Sequence, residues 1–186
     1  MALMARTVFA PGRVLILAAL AGVVPGFGSD QSIQAQVERA AATPYRTDDP
    51  DVAGFKLTLD IRLTNRSGGP LDLPKAGTVS DGTTRIAVLG LEAKRPDGSW
   101  SHVVQSSWYD TGTIKYESCG SLPPGGTVEF SDSPSGLVLL KKQLAGLGSD
   151  PTVRFSLMVF CRQPDGKVVT KTVTTDWVDL RLPARP

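Results

Sequence analysis

The sequence predicts an all-β fold, an antiparallel β-sandwich in a single domain, and three observations carry that prediction. Phe55, Leu57, Leu59, Ile61 and Leu63 alternate without a break against Lys56, Thr58, Asp60, Arg62 and Thr64, the period of a strand with one apolar and one wet face. The same alternation returns at Val153, Phe155, Leu157, Val159 and Cys161, opposite Arg154, Ser156, Met158, Phe160 and Arg162. Finally, Arg95-Pro96-Asp97-Gly98 and Gln163-Pro164-Asp165-Gly166 each separate two strand-like runs, and two such hairpins favour antiparallel neighbours.

The chain opens on a segment of a different kind. Arg6 and Arg13 precede an apolar run over residues 14–24 that Pro25 and Gly26 then break. This is the pattern of a secretory signal. A membrane-spanning helix needs about 20 apolar residues, so an uncleaved anchor is the minority reading. Residues 1–35 are therefore read as a signal peptide, with cleavage after Gly28 or after Ala35, where small residues stand. No cysteine follows the run to take a lipid anchor. The expected location is the periplasm or outside the cell, with membrane contact only if the segment stays uncleaved.

Residues 36–52 are polar and Ala-rich with Pro44 and Pro50 as breakers, and are expected to form a flexible lead-in to a domain over residues 53–183. That length holds one core. The strand of residues 55–63 comes first and runs into a turn at Asn65-Arg66-Ser67-Gly68-Gly69-Pro70. The first Pro-Asp-Gly hairpin joins residues 86–94 to residues 99–104. The strand around Phe155 carries apolar residues on both faces and is expected to be central; the second hairpin returns from it through a Thr/Val-rich run over residues 167–182. Only residues 136–147 have a helical alternative, and a strand followed by a loop fits them nearly as well.

Cys119 and Cys161 are the two cysteines of the chain. In an oxidising compartment such a pair forms one bridge, and a Cys119–Cys161 disulfide is expected. One histidine and no C-x-x-C pair leave a closed zinc site without ligands, so no metal and no cofactor is expected. The 20 Lys+Arg against 18 Asp+Glu are scattered rather than blocked, which gives no footprint for nucleic acid.

Several of these features together resemble bacterial exported immunoglobulin-like domains of unknown function. The strand ending in Leu63-Thr64-Asn65-Arg66-Ser67-Gly68-Gly69-Pro70-Leu71 is similar to the strand and turn found early in such domains. Leu122-Pro123-Pro124-Gly125-Gly126 ahead of Val128-Glu129-Phe130 looks like their connection into a later strand. The resemblance covers residues 53–182 and implies an immunoglobulin-like sandwich; it transfers no site. Antibody-type domains pack a Trp on a disulfide between the sheets, whereas Cys119 stands in a loop-like stretch beside Gly120 and the Pro-Pro-Gly turn. The bridge is thus expected to pin a long loop to the strand ending at Cys161.

Any Ser-His-Asp arrangement must use His102, the single histidine, with Ser106 or Ser107 as nucleophile and Asp110 as orienter. No nucleophile elbow, phosphate loop or paired carboxylates accompany it, and a surface histidine is the expected reading. Trp100, Trp108, Tyr109 and Tyr116 stand close together in a stretch rich in Ser, Thr and Gly. They either cap the core or form a binding shelf, since aromatic side chains bring apolar area with a polar handle; Trp177 is expected in the core or on the sheet surface. Asn65-Arg66-Ser67 fits a glycosylation sequon, incidental if the Ala/Gly/Pro/Arg-rich composition marks a bacterial source.

The function expected from these features is non-catalytic: an exported interaction module that binds a protein or glycan partner through Trp100, Trp108, Tyr109 and Tyr116. Alternatives are a secreted protease inhibitor on an immunoglobulin-like scaffold, which rests on fold analogy, and an accessory carbohydrate-binding domain.

Overall fold

The computed structural model describes residues 30–46, 54–78, 85–105, 115–140, 142–144 and 147–183. These residues are all-β. The strands are β1 (Ile33–Tyr45), β2 (Gly54–Asn65), β3 (Leu71–Pro74), β4 (Gly77–Thr78), β5 (Ile86–Lys94), β6 (Trp100–Gln105), β7 (Cys119–Leu122), β8 (Thr127–Leu140), β9 (Thr152–Arg162), β10 (Val168–Thr174) and β11 (Val178–Asp179). One sheet has the order β1-β2-β8-β4; a second has the order β10-β9-β5-β6, with β11 also paired to β9; β3 and β7 form a separate ribbon. All pairs are antiparallel except β4 with β8.

The alternation in β2 does what its period requires. Phe55, Leu57, Leu59, Ile61 and Leu63 are at most 3% exposed, and they share one core cluster with Leu91, Ala93, Val153, Phe155, Leu157 and Val159 of the second sheet. Burying each such side chain contributes about 1.5–3 kcal/mol. The wet face of the first sheet is laced with ion pairs instead: Arg39 with Asp60, and Arg62 with both Glu38 and Glu129.

Residues 36–52 are not a flexible lead-in as far as the structure describes them. Residues up to Tyr45 belong to β1, paired along β2 from Ile33↔Asn65 to Tyr45↔Gly54. The pairing supplies backbone hydrogen bonds whatever the side chains, so a low β-propensity run of alanines is overridden by its neighbour. Pro44 is tolerated because β1 is the sheet edge. Residues 1–29 and 47–53 lie outside the described residues, and with them the apolar run and Gly28. Ala35, the other candidate cleavage position, stands inside β1.

Both Pro-Asp-Gly hairpins form, with the same hardware. Gly98 and Gly166 take positive φ of 81° and 87°, the conformation that glycine adopts without strain. Their amides donate to Arg95 O and Gln163 O, each at 2.9 Å. The Asp97 carboxylate accepts from the Ser99 amide and hydroxyl, which hold its carboxyl below the usual range. Asp165 accepts from the Lys167 amide at 2.9 Å.

Residues 136–147 resolve in favour of strand and turn: β8 continues to Leu140, and a turn occupies residues 142–144. β8 is irregular against β2, where Leu59↔Ser133 and Ile61↔Phe130 bracket one register shift and Leu57↔Leu137 follows another. Bulges of this kind admit Pro134 inside a paired strand.

The Cys119–Cys161 disulfide is present, with Cα atoms 4.8 Å apart. Cys119 is not in a loop, however. It opens β7, opposite Pro74 of β3, and the preceding residues run beside the end of β9, where the Arg162 amide donates to Glu117 O at 2.8 Å. The bridge therefore staples the β3–β7 ribbon to the second sheet. A two-stranded ribbon is marginal by itself, which gives the staple its structural purpose.

Candidate functional site

The outward face of the second sheet brings charged and aromatic side chains of β5, β6 and β9 together. Alternation along β9 turns Arg154 outward because Val153 and Phe155 face the core. Cross-strand register then sets Glu92 of β5 beside both Arg154 and His102, and Lys94 beside Trp100. Trp177 joins them from the short break between β10 and β11.

Within this patch Glu92 is the hub. Its side chain is 13% exposed, and its carboxylate accepts from Arg154 Nε at 2.5 Å while His102 Nδ1 lies 3.4 Å away. The Arg154 guanidinium stands 4.7 Å from the Trp177 ring centroid and 5.7 Å from that of Trp100. Lys94 Nζ lies 4.7 Å from the Trp177 centroid. Each cation over an indole contributes about 0.5–1 kcal/mol at an exposed site. Trp100 meets His102 edge-on with centroids 5.2 Å apart. At 52% exposure it is the one large hydrophobic side chain exposed among the described residues.

His102 is 57% exposed, the surface histidine expected from its strand, and Ser106, Ser107 and Asp110 lie outside the described residues. Among the described residues no group of three or more His, Cys, Asp or Glu could hold a metal ion.

Of the four aromatic residues singled out in the sequence, the structure describes two, Trp100 and Tyr116, and these stand apart. Trp108 and Tyr109 lie outside the described residues. Tyr116 packs on Phe160 with centroids 6.0 Å apart, under Arg162 at 5.5 Å. Phe160 and Arg154 are six residues apart on the same face of β9, which at strand rise separates the Tyr116 and Trp100 neighbourhoods by roughly 20 Å. Tyr116 also sits beside a structural pair, Arg85 Nη2 donating to Glu117 Oε2 at 2.9 Å. The disulfide thus holds the Tyr116 end of the sheet, far from Trp100.

Sequence reasoning missed Arg154, Glu92 and Lys94, and left Trp177 between core and surface; it is half-buried on the sheet face. A signal for Arg154 was available, since the alternation of β9 alone turns it away from the core.

The Asn65 sequon is taken up by the fold. Asn65 is fully buried; its amide donates to Gly69 O at 2.8 Å and Leu122 O at 2.9 Å, and its carbonyl accepts from the Ser67 amide and hydroxyl.

Against known proteins, no family model matches the chain, and no curated protein matches it. A solved structure, the X-ray structure of the Northeast Structural Genomics Consortium target SoR45, aligns at 13% identity over 83% of this chain and 90% of that one, with a TM-score of 0.37.

Proposed function

We propose that this protein is a non-catalytic interaction module of the bacterial exported type, an immunoglobulin-like sandwich that offers the outer face of its second sheet to a partner in the periplasm or outside the cell. The observation that carries the reading is Trp100, 52% exposed at the margin of the Arg154–Trp177 stack. An exposed indole backed by an ordered cation matches the composition of binding hot spots, where Trp and Arg are enriched. Among the described residues, the outer face of the opposite sheet carries solvated ion pairs. Two antiparallel sheets sharing one core support the sandwich, and the leader pattern with the Cys119–Cys161 bridge supports export.

A protein partner is favoured over a glycan. Sugar recognition wants open aromatic faces, whereas Arg154 stands over both indoles and Lys94 adds a second cation to Trp177. The test is capture of partners from an envelope extract, and retention on insoluble polysaccharide, by the wild-type chain and by Trp100→Ala. Protein capture weakened roughly 30-fold in the variant, a hot-spot loss, with an unchanged thermal midpoint is the expected result. Equal capture by both chains overturns this surface, and Trp100-dependent retention on polysaccharide overturns the protein reading in favour of a glycan.

A further inference from the structure

The two small-residue positions at the end of the leader are not equivalent once the first residues of the fold are placed. Asp30 is already part of the structure: its amide donates to Thr172 O at 2.8 Å, and its carboxylate accepts from Lys171 Nζ at 2.8 Å and from the Ser32 amide at 2.9 Å. Ser32 O accepts from the Arg66 amide at 2.7 Å. Ile33 and Ala35 are 5% and 1% exposed in the core cluster. Ala35 pairs with Leu63 on one side and bridges Thr175 on the other, which ties the two sheets at this edge. A cut after Ala35 would remove two core side chains, the Lys171 partner and that tie.

The sequence before each bond agrees. Leader cleavage sites carry small residues in an A-x-A-like spacing. Gly26 and Gly28 meet that spacing, whereas the residue two before Ala35 is Ile33, a branched core residue. We propose that the Gly28–Ser29 bond is the processing site of this chain, so that the mature protein begins Ser29-Asp30. Water adds across the amide, leaving a carboxylate on Gly28 of the leader and an ammonium on Ser29 of the mature chain. The cut keeps every residue from Asp30 onward with its partners, and this inference rests on the export reading.

The test is to produce the full chain with its own leader in a bacterial host, fractionate the cells and determine the N-terminus of the protein by intact mass and terminal peptide sequencing. A mature chain starting at Ser29 in the periplasm or medium is expected. An exported chain that starts at any other residue, Gln36 included, or that keeps the leader, overturns the assignment while export stands. An intact chain confined to the cytoplasm overturns both. Gly28→Leu, which puts a bulky side chain at the bond, is expected to accumulate as precursor; processing at the wild-type rate would also overturn the assignment.

Discussion

The side-chain amide of Asn65 donates to the Leu122 carbonyl at 2.9 Å, tying the last residue of β2 to the last residue of β7. The same side chain closes the turn that follows it through Gly69 and Ser67. Asn65→Ala strands several buried polar groups at once, each costing about 1–3 kcal/mol, and is expected to lower stability by about 3 kcal/mol in urea denaturation. A natively folded chain from a glycosylating host is expected to carry no glycan at Asn65, read by intact mass.

Gly54 is a second position where one atom decides the outcome. A Cβ there would stand 2.0 Å from the Leu139 carbonyl oxygen, backbone that cannot turn aside, whereas one at Gly68 meets nothing within 4 Å. Gly54→Ala is expected to cost about 1–3 kcal/mol, the range for overpacking, and Gly68→Ala to stay within about 0.5 kcal/mol of the parent. Denaturation midpoints of the two variants check the contrast.

In the patch itself, Arg154→Ala removes the partner of Glu92 and the cation over both indoles. The expected cost is about 1–2 kcal/mol, because solvent screens the part-exposed Arg154–Glu92 pair to under about 1 kcal/mol and two weak cation–π contacts add to it, with tryptophan emission shifted to the red as Trp177 gains solvent. An unshifted spectrum would mean that Arg154 does not cover the ring.

What could be read before folding and what could not divides along physical lines. β2 and β9 were legible because each buries one clean face, and the hairpins because Pro and Gly dictate their own dihedrals. β1 was not, because an edge strand of Gln, Glu, Arg and Ala is held by pairing with β2 rather than by its own pattern. The extent of β8 was obscured by Pro134 and Gly136, which its register shifts accommodate. The Glu92–Arg154–Trp177 constellation depends on register across adjacent strands, which no stretch of sequence contains. Trp100 was found because an aromatic after a Pro-Asp-Gly turn is visible locally; its separation from Tyr116 needed the length of β9.

Asp30 gives the fold an acid-sensitive edge. The Lys171 hydrogen bond, with help from Ser32, lowers its pKa from 3.8 to about 2. A carboxyl depressed in the folded state stabilises fully above its unfolded value of 3.8, and that contribution is lost as pH falls through about 2. The pair is part-exposed, so solvent screening reduces its contribution to about 1 kcal/mol. Asp30→Asn is expected to lose that amount at neutral pH and to show a flatter decline in stability between pH 4 and pH 2, measured by thermal melts across the range.

The staple between Cys119 and Cys161 closes a loop with a sequence separation of 42, for which the chain-entropy model gives about 4 kcal/mol. Cys119→Ser with Cys161→Ser is expected to lose about 2–5 kcal/mol. The loss should not fall evenly. Among the described residues, β3 and β7 pair with each other and with no strand of the two larger sheets, and beyond the bridge the ribbon is held by Leu73 in the core cluster, by the Asn65–Leu122 bond and by Gln163 donating to Asp72 at 2.7 Å. Amide exchange in Leu71–Pro74 and Cys119–Leu122 should therefore quicken more than in β2 or β9. The Trp100 patch lies at the far end of β9 from Cys161, so partner capture should survive in the bridge-less variant at temperatures where it remains folded. Uniform acceleration of exchange in every strand would instead show that the bridge acts on the unfolded chain alone.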